Sequence, residues 1–480
     1  MTIPNQTAIE GFAGEFLHPS LDIKDDILIL GFRYKTKSGE DKNLILMVRS
    51  GTISIIEDDS FVIEGKEYFL EKRGRKLIRL QERWSLGDLN QFRDDYASLK
   101  PEAVCKPKEL FEELKATLKR YVELEKEIDY SLVAAWVVGT YFYPIFSAYP
   151  FLNPKAPKRS GKSQFLGLLR QLCFNAVKAR PTLAALGDTV DSLRGTYLVD
   201  QGDSLLQKGY EDLLHNLADS YKKGGGKRRV MLIDKGKRDV LELETYSPKV
   251  FASIKELPED LRDRCLIIPL LRSKHNFLDP EEDQALWPAL RSKLYRFLIH
   301  HYSDIATDYF VKKITYKQKP EVVGRELELW LPFESMLCCL GAADEVPEAL
   351  KRFRSQYGFA EYEPSEFESA VIQAILTRFG ATIDEQLELA PREISELMSE
   401  DMFSPQTTVR QKAADVGWTI KKFNLSSEKK PRSREGVCYL FDKKKVEGIY
   451  ATYFPTPPTL VASNSTNIED LMGVSPGVGV

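Results

Sequence analysis

The sequence is poor in the residues that build cross-linked and metal-bound proteins. Its 480 residues include only six cysteines and five histidines, and the cysteines have neither paired nor metal-ligand spacing. A disulfide scaffold or a structural zinc site is therefore excluded, and we expect a reduced, cytoplasmic protein. The chain also has little net charge, −3 at pH 7. Binding to a polyanion would have to come from local basic clusters, because a uniformly basic surface is excluded.

The chain lacks a clear targeting or membrane segment. Its start has neither a basic region nor an apolar run, so we expect no signal peptide. Residues 130–154 carry no charge and could in length cross a membrane, but Pro144 and Pro150 interrupt them. We predict instead a buried helix that ends near Tyr143, a short strand around Phe151 and Leu152, and no membrane partner.

The chain is long enough for about three domains, and its patterns change along its length. Short alternating runs from about 10 to 85 predict antiparallel strands. A charged linker follows, and residues 107–128 have helical periodicity. Strands then alternate with helices to about 272, which is typical of a parallel α/β core. The predicted domains are a small β-rich domain (1–90), an α/β domain with a helical lid (91–350), a winged helix (360–453) and a disordered tail (454–480).

The segment 155–163, Lys-Ala-Pro-Lys-Arg-Ser-Gly-Lys-Ser, precedes a stretch with the apolar spacing of a helix. A loop at a helix amino end offers backbone N–H groups to an anion. Lys162 would contact the outer phosphates, and the Ser163 hydroxyl would bind Mg²⁺. The segment therefore predicts a site for a nucleoside triphosphate, formed by Ala156, Pro157, Lys158, Arg159, Ser160, Gly161, Lys162, Ser163 and Gln164.

A short apolar strand about forty residues later ends in Asp200, followed by Gln201. Asp200 would bind the metal together with Ser163. The alternative is a fortuitous Gly-Lys-Ser in a lysine-rich surface turn before a packed helix. Ala156 favours that alternative, because the usual phosphate loop has glycine six residues before the lysine.

Three more polar residues could belong to the same site. Ser253 stands near the end of a predicted strand at 249–254, where the alternative is an ordinary strand-end hydroxyl. Arg264 precedes another apolar strand and could stabilise a transferring phosphoryl group, or it could form a salt bridge with Asp260 or Glu259. Arg325 opens a predicted helix and could fold back onto the γ-phosphate.

Two basic clusters are candidates for DNA contact. One lies at the tip of a predicted hairpin, and the other lies in the wing that follows a predicted recognition helix at about 404–416. Cations there would bind backbone phosphates and make the affinity depend on salt. A solvated charged loop is the alternative for the hairpin, and protein docking is the alternative for the winged helix. The predicted DNA-binding residues are Lys235, Lys237, Arg238, Lys429, Lys430, Arg432 and Arg434.

Five motifs occur in an order that resembles AAA+ ATPases. They are Ser-Gly-Lys-Ser, Leu-Val-Asp-Gln-Gly-Asp, Pro-Lys-Val-Phe-Ala-Ser-Ile, Leu-Pro-Glu-Asp-Leu-Arg-Asp-Arg-Cys and Gly-Arg-Glu-Leu-Glu-Leu-Trp-Leu-Pro. Within that group the chain is similar to the minichromosome-maintenance-like helicases of plasmids, viruses and integrated mobile elements, over about residues 107–340. The resemblance implies an α/β fold with a P-loop AAA+ core and a parallel sheet, preceded by the small β-rich domain and followed by the winged helix.

The resemblance also implies how such a protein works. It implies a ring oligomer, hexameric, that hydrolyses ATP at subunit boundaries and moves along single-stranded or forked DNA, with a primase or polymerase as a candidate partner. By the same resemblance Lys162, Ser163 and Asp200 bind ATP and Mg²⁺. Ser253 is then the first sensor, Arg325 the second sensor, and Arg264 the arginine finger of a neighbouring subunit.

The sequence departs from this pattern at three positions. Ala156 and Arg159 replace glycines of the loop, and Gln201 replaces the catalytic glutamate. An amide can orient water but cannot accept its proton as a carboxylate does, although Asp203 could substitute if the chain turns there. Two functions stay open: an ATP-driven DNA helicase or translocase in the replication of a mobile element, and an ATP-switched DNA-binding loader or partition factor with slow hydrolysis.

Overall fold

The computed structural model describes residues 14–36, 38–71, 80–98, 100, 104–157, 160–179, 182–206, 209–234, 237–270, 277–282, 284–318, 322–357, 365–404, 406–423, 425–432 and 436–453. Contacts divide the chain into two compact units, Met1–Tyr357 and Gly358–Val480. The predicted domain limits at 90, 350 and 360 stay predictions, and the predicted tail at 454–480 lies outside the described residues.

Seven short strands open the described part of the first unit. They are β1 (Glu15–Leu17), β2 (Leu21–Lys24), β3 (Ile27–Lys35), β4 (Asp41–Arg49), β5 (Thr52–Ile56), β6 (Ser60–Ile63) and β7 (Lys66–Leu70). Strands β2 to β5 form an antiparallel meander in chain order, and β6 pairs antiparallel with β7. Strand β1, however, lies parallel to β7. The antiparallel prediction fails there because no hairpin links these two strands, so no turn fixes their relative direction.

The rest of the first unit alternates helices and strands. Its first elements are α1 (Leu86–Ala97), α2 (Pro107–Tyr121), α3 (Glu127–Phe142), β8 (Phe151–Lys155), α4 (Lys162–Leu172), β9 (Val177–Lys178), α5 (Leu183–Leu193) and β10 (Tyr197–Val199). The remaining elements are α6 (Glu211–Asp219), β11 (Arg228–Asp234), β12 (Lys237–Leu243), β13 (Lys249–Phe251), α7 (Glu259–Arg262), β14 (Cys265–Pro269), α8 (Leu286–Gln318), α9 (Gly324–Cys339) and α10 (Val346–Tyr357).

Five of these strands form a wholly parallel sheet in the order β14-β8-β13-β10-β9. The register sets Cys265 beside Phe151 and Pro269 beside Lys155 along β14 and β8. The residues of β10 and β13 are buried, as a sheet covered by helices on both faces requires. The predicted parallel α/β core is therefore confirmed.

Helix α3 is almost completely buried within this unit. Every residue from Ile128 to Phe142 is buried, and Tyr149 donates from its hydroxyl to the Trp136 carbonyl at 2.6 Å. The predicted buried helix and the strand at Phe151 are confirmed. No described helix is both long enough and apolar enough to cross a membrane.

Two helix predictions differ from the structure. The charged linker contains α1, because the Ser85 hydroxyl caps its amino end and Phe92 is buried on its inner side. The helix expected over 107–128 ends at Tyr121. Beyond it Leu124 pairs with Leu270 and donates its N–H to the Tyr130 hydroxyl at 2.9 Å, so contacts distant in sequence replace the next helical turn.

The β11–β12 hairpin stands outside the parallel sheet as a separate two-stranded ribbon. Its register joins Arg228 to Leu243 and Asp234 to Lys237, which confirms the predicted hairpin. At its base Arg229 Nε lies 2.9 Å from Glu242 Oε1. The hydrogen bond from Arg229 and then that from Lys227 lower the pKa of Glu242.

A lysine is completely buried at the start of β13. Lys249 Nζ donates to the Thr245 carbonyl at 2.6 Å and to the Ser247 carbonyl at 3.1 Å, and it lies 5.3 Å from the centre of the Phe151 ring. Burial lowers the pKa of Lys249 to about 7, with Glu244 opposing the shift. The unfolded chain therefore binds more protons than the folded chain between about pH 7 and pH 10.

We expect this lysine to make the first unit more stable as the pH rises. The free energy of unfolding should increase by up to about 1.4 kcal/mol per pH unit between pH 7 and 10 relative to Lys249→Met, because the cost of burying the charge disappears. The measurement is the difference in melting temperature between the two proteins at pH 7 and pH 9.5. A difference that does not change with pH would contradict a depressed pKa.

The second unit contains helices and a three-stranded antiparallel sheet in the order β15-β17-β16. Its elements are α11 (Glu366–Gly380), β15 (Gln386–Leu389), α12 (Pro391–Glu396), α13 (Val409–Lys422), β16 (Ser426–Arg432), β17 (Gly436–Asp442) and α14 (Lys443–Tyr453). The predicted recognition helix at 404–416 begins later, at Val409. The reason is local: Thr408 and Gln411 form a reciprocal capping box that fixes the helix start.

Candidate functional site

Loops at the carboxyl ends of three neighbouring strands carry the predicted phosphate and metal residues. Strand β13 lies between β8 and β10 in the sheet. The loop that begins at Ala156 follows β8, Ser253 comes shortly after β13, and Asp200 follows β10. Parallel strands end on the same edge of a sheet, where α/β proteins bind ligands. The sheet therefore brings Lys162, Asp200 and Ser253 to one edge.

Two carbonyl groups directly after β8 contact the ammonium group of Lys162. Gly161 adopts φ +77°, in the left-handed region that favours glycine, and α4 begins at the next residue. Lys162 Nζ donates to the carbonyl oxygens of Ala156 at 2.6 Å and Pro157 at 2.7 Å. The first N–H groups of α4 have no acceptors within the helix, so this end of the helix suits an anion.

The structure explains why alanine is accommodated at position 156. Ala156 donates its N–H to the Ser253 carbonyl at 3.2 Å, and its backbone does not have a positive φ. It continues the pairing of β8 with the segment after β13, so the conformational freedom of glycine is not needed. The second departure, Arg159, and its neighbour Lys158 lie outside the described residues.

The polar side chains at the start of α4 differ in their surroundings. Ser160 is only 4 % exposed, and its hydroxyl has no hydrogen-bond partner in the described part of the chain. Ser163 is exposed. Gln164 Nε2 donates to the Leu278 carbonyl at 2.8 Å, so Gln164 would meet a phosphate through its backbone N–H.

Asp200 is in contact with a lysine. Asp200 Oδ2 lies 2.9 Å from the Nζ of Lys178, the last residue of β9, and both side chains are partly exposed. The next residue, Gln201, is exposed and adopts φ +60°, while Gly202 donates its N–H to the Ala252 carbonyl at 2.7 Å. The chain thus turns sharply at Gln201 and leaves its amide on the surface. The side chain of Asp203 lies outside the described residues.

The residues at this edge fit Mg²⁺ held together with a nucleotide. Mg²⁺ prefers oxygen ligands and usually takes one or two protein groups plus phosphate oxygens and water. Ser163 and Asp200 supply one hydroxyl and one carboxylate. The described residues contain no group of three or more histidine, cysteine or acidic side chains that could hold a metal ion without a nucleotide.

Ser253 is completely buried, and its hydroxyl accepts a hydrogen bond from Asn153 Nδ2 at 3.0 Å. Asn153 also donates to the carbonyl of Phe251. The amide of Asn153 therefore holds the serine side chain in place between β8 and β13.

The two predicted arginines lie at the amino ends of the strands, opposite the carboxyl edge that carries Lys162. Arg264 immediately precedes β14 and is 7 % exposed. It donates to the Asp260 carbonyl and lies 5.2 Å from the centre of the Tyr221 ring. Arg325 Nη1 lies 4.0 Å from Asp263 Oδ2, with both side chains 40 % exposed.

The alternative of an Arg264 salt bridge to the Asp260 carboxylate is not what this structure contains, since the contact is to the Asp260 carbonyl oxygen. From Arg264 to the end of β14 the chain rises by roughly 16 Å. Neither arginine therefore reaches the phosphate loop of its own chain in this conformation, and their assignment as finger and second sensor stays a prediction.

The predicted DNA-binding side chains all lie outside the described part of the chain. Lys235 and Arg434 lie outside the described residues, as do the side chains of Lys237, Arg238, Lys429, Lys430 and Arg432. The backbones of 237–238, 429–430 and 432 belong to the hairpin strands β12 and β16.

Two residues of this edge were missed by the sequence analysis. Lys178 belongs to a strand of only two residues, which is too short to show the alternation of apolar and polar residues that predicts a strand. Asn153 interrupts an apolar strand, and a buried amide in such a strand could have indicated a polar partner on the neighbouring strand.

No protein-family model and no curated protein matches this sequence. The chain is similar to several solved structures, three of which follow. One is described as "SCCmec type IV Cch - active helicase", with 10 % identity, a TM-score of 0.39, and coverage of 90 % of this chain and 80 % of that one. A full-length MCM homolog from Methanopyrus kandleri has 12 % identity, a TM-score of 0.34 and coverage of 69 % and 78 %. The C-terminal region of NrS-1 has 9 % identity, a TM-score of 0.32 and coverage of 86 % and 96 %. At these low scores the similarities establish no family for the chain.

Proposed function

We propose that the protein is an ATP-dependent DNA helicase or translocase that acts as a ring oligomer in the replication of a plasmid, virus or integrated mobile element. The observation that supports this most is the parallel sheet, whose carboxyl edge carries Lys162, Asp200 and Ser253. The order of the motifs along the sequence resembles that of the minichromosome-maintenance-like helicases. Among the ATPases that bind nucleotide at such an edge, this order favours a helicase.

The residues at this edge can divide the work of ATP hydrolysis. Lys162 and the first N–H groups of α4 would bind the outer phosphates, and Ser163 and Asp200 would hold Mg²⁺. When bound, Mg²⁺ neutralises phosphate charge as the phosphoryl group is transferred. Gln201 orients the attacking water through its amide, and Ser253, held by Asn153, lies beside the loop.

The positions of the arginines support assembly into a ring. Arg325 contacts Asp263, the residue directly before Arg264. Both arginines therefore lie at the amino edge of the sheet, away from the phosphate loop. In a ring they would serve the site of a neighbouring copy. Arg264 would first have to leave the Tyr221 ring and the Asp260 carbonyl, both of which it contacts here.

DNA contact is proposed at two hairpins, the β11–β12 ribbon and the β16–β17 wing of a winged-helix domain at 360–453. Both carry the basic clusters found in the sequence. The proposed domain order is completed by the β-rich domain at 1–90 and the ATPase domain at 91–350.

Gln201 favours a second candidate function, an ATP-switched DNA-binding protein with slow or no hydrolysis. An amide cannot serve as the general base that a carboxylate provides. The two candidates differ in whether the wild-type protein turns ATP over fast enough to separate strands.

We expect Gln201→Glu to raise the rate of ATP hydrolysis by about tenfold or more, because the new carboxylate can accept a proton from water, an effect usually worth about 10²- to 10⁴-fold. The measurement is steady-state hydrolysis with forked DNA, beside strand displacement by the same samples. Gln201→Asn is the matched control, since it keeps the amide and tolerates the positive φ.

Strand displacement by the wild-type protein would support the helicase. Nucleotide-dependent DNA binding without turnover would support the switch, with Gln201→Glu then gaining activity. Equal rates for wild type, Gln201→Glu and Lys162→Ala would rule out turnover at this site.

A further inference from the structure

The contact between Lys178 and Asp200 has no role in the function proposed so far. Lys178 ends β9 and Asp200 directly follows the neighbouring parallel strand β10, with Lys178 opposite Leu198 in the register. Their charged atoms are 2.9 Å apart, and the side chains are 41 % and 32 % exposed. Lys178 is therefore a second lysine at the edge of the sheet that carries Lys162.

An ammonium group and Mg²⁺ compete for the same carboxylate oxygen. Mg²⁺ needs oxygen ligands and is repelled by a nearby positive charge. A nucleotide without metal has the opposite preference, because its phosphates gain from each additional cation. Since the pair is partly exposed, it is weak enough for a metal–nucleotide complex to separate.

We propose that Lys178 is a positioning residue that holds Asp200 while no metal is bound and thereby sets the magnesium concentration at which the site loads. This inference rests on the proposed function, in which ATP and Mg²⁺ bind at this edge. Lys178 does not act on the reacting atoms; it acts through Asp200. Its removal changes the binding of free and metal-bound nucleotide in opposite directions.

The experiment measures nucleotide binding and does not depend on turnover. A fluorescent ATP analogue is titrated into the full chain over a range of free Mg²⁺ and, separately, in excess EDTA. For Lys178→Met we expect the half-saturating Mg²⁺ concentration to fall about three- to fivefold and the affinity in EDTA to fall by a similar factor. At about 1.4 kcal/mol per factor of ten this is roughly 0.7–1 kcal/mol, within the range for partly exposed ion pairs.

Two further variants separate this role from a structural one. Lys178→Arg keeps the charge and can bind the carboxylate with two parallel hydrogen bonds, so the magnesium requirement should rise about twofold while binding in EDTA is kept. Lys119→Met removes the exposed ion pair of Lys119 with Glu127 in the same unit and should change neither curve.

The outcomes distinguish this inference from the proposed function. If the wild-type protein binds no nucleotide at any Mg²⁺ concentration, both are wrong. If it binds nucleotide but Lys178→Met and Lys178→Arg have the wild-type magnesium curve, only the role of Lys178 is wrong. Opposite shifts of the magnesium requirement in Lys178→Met and Lys178→Arg support the role of Lys178, even if one variant is less stable.

Discussion

Replacing Lys162 with alanine should lower the affinity for ATP between about tenfold and a hundredfold. Hydrogen bonds to charged groups contribute roughly 1.5–3 kcal/mol each, and the ammonium of Lys162 lies inside the loop, 2.6 Å from the Ala156 carbonyl. No other described side chain of the loop carries a positive charge. The measurement is isothermal titration with ATP and Mg²⁺.

The control is Lys108→Ala, which removes an exposed lysine from α2 in the same unit. Its affinity for ATP should match that of the wild type. Melting temperatures decide whether Lys162→Ala has disturbed the fold, and we expect little change because its contact with the Pro157 carbonyl is exposed to solvent. Equal ATP affinity in the wild type and Lys162→Ala would contradict a phosphate site in this loop.

The second large effect concerns a buried ion pair between α3 and α10. Arg352 Nε lies 2.7 Å from Asp129 Oδ1, with side-chain exposures of 6 % and 0 %. Arg352→Leu should destabilise the first unit by about 3–5 kcal/mol, because it leaves a buried carboxylate without its partner. For a unit of this size, that corresponds to a fall in melting temperature of roughly 4–7 °C.

The pH dependence of this loss provides a further check. Burial raises the pKa of Asp129, and Arg352 opposes that shift. Without the arginine the pKa should rise further, so the folded variant takes up a proton more readily than the unfolded chain and loses stability as the pH increases. The loss should therefore be larger at pH 8 than at pH 5.

Two comparisons make the test specific. Adding Asp129→Asn to Arg352→Leu removes the buried charge and should recover part of the stability. Lys119→Ala breaks an exposed pair and should cost less than about 1 kcal/mol. A similar melting temperature for Arg352→Leu and Lys119→Ala would mean that the buried pair contributes little.

The local signals of the sequence predicted the elements whose cause is also local. The start of α4 was predicted by the glycine before Lys162 and by the apolar spacing that follows. The buried helix α3 was predicted by its charge-free run. The start of α13 is also set locally, by Thr408 and Gln411, and the predicted start at 404 was wrong. The reciprocal pattern of a hydroxyl followed three residues later by an amide could have corrected the predicted limits.

The remaining features depend on contacts between distant residues. Helix α2 ends at Tyr121 because Leu124 finds partners at Leu270 and Tyr130, and no window of sequence contains all three. The same holds for Lys178 beside Asp200 and for Asn153 beside Ser253, which depend on the order of strands in the sheet. The motifs predicted which residues lie at the carboxyl edge, but only the fold gives their neighbours.

The β11–β12 ribbon has a mechanical consequence. Each strand has seven residues, so the ribbon extends roughly 20 Å from its base, and a two-stranded hairpin by itself is only marginally stable. A rotation of about 10° at the base would carry the far end through about 3.5 Å, close to the roughly 3.4 Å between successive charges along one nucleic-acid strand. In the proposed function, small rotations at the base of the ribbon would therefore move its far end by about one nucleotide spacing.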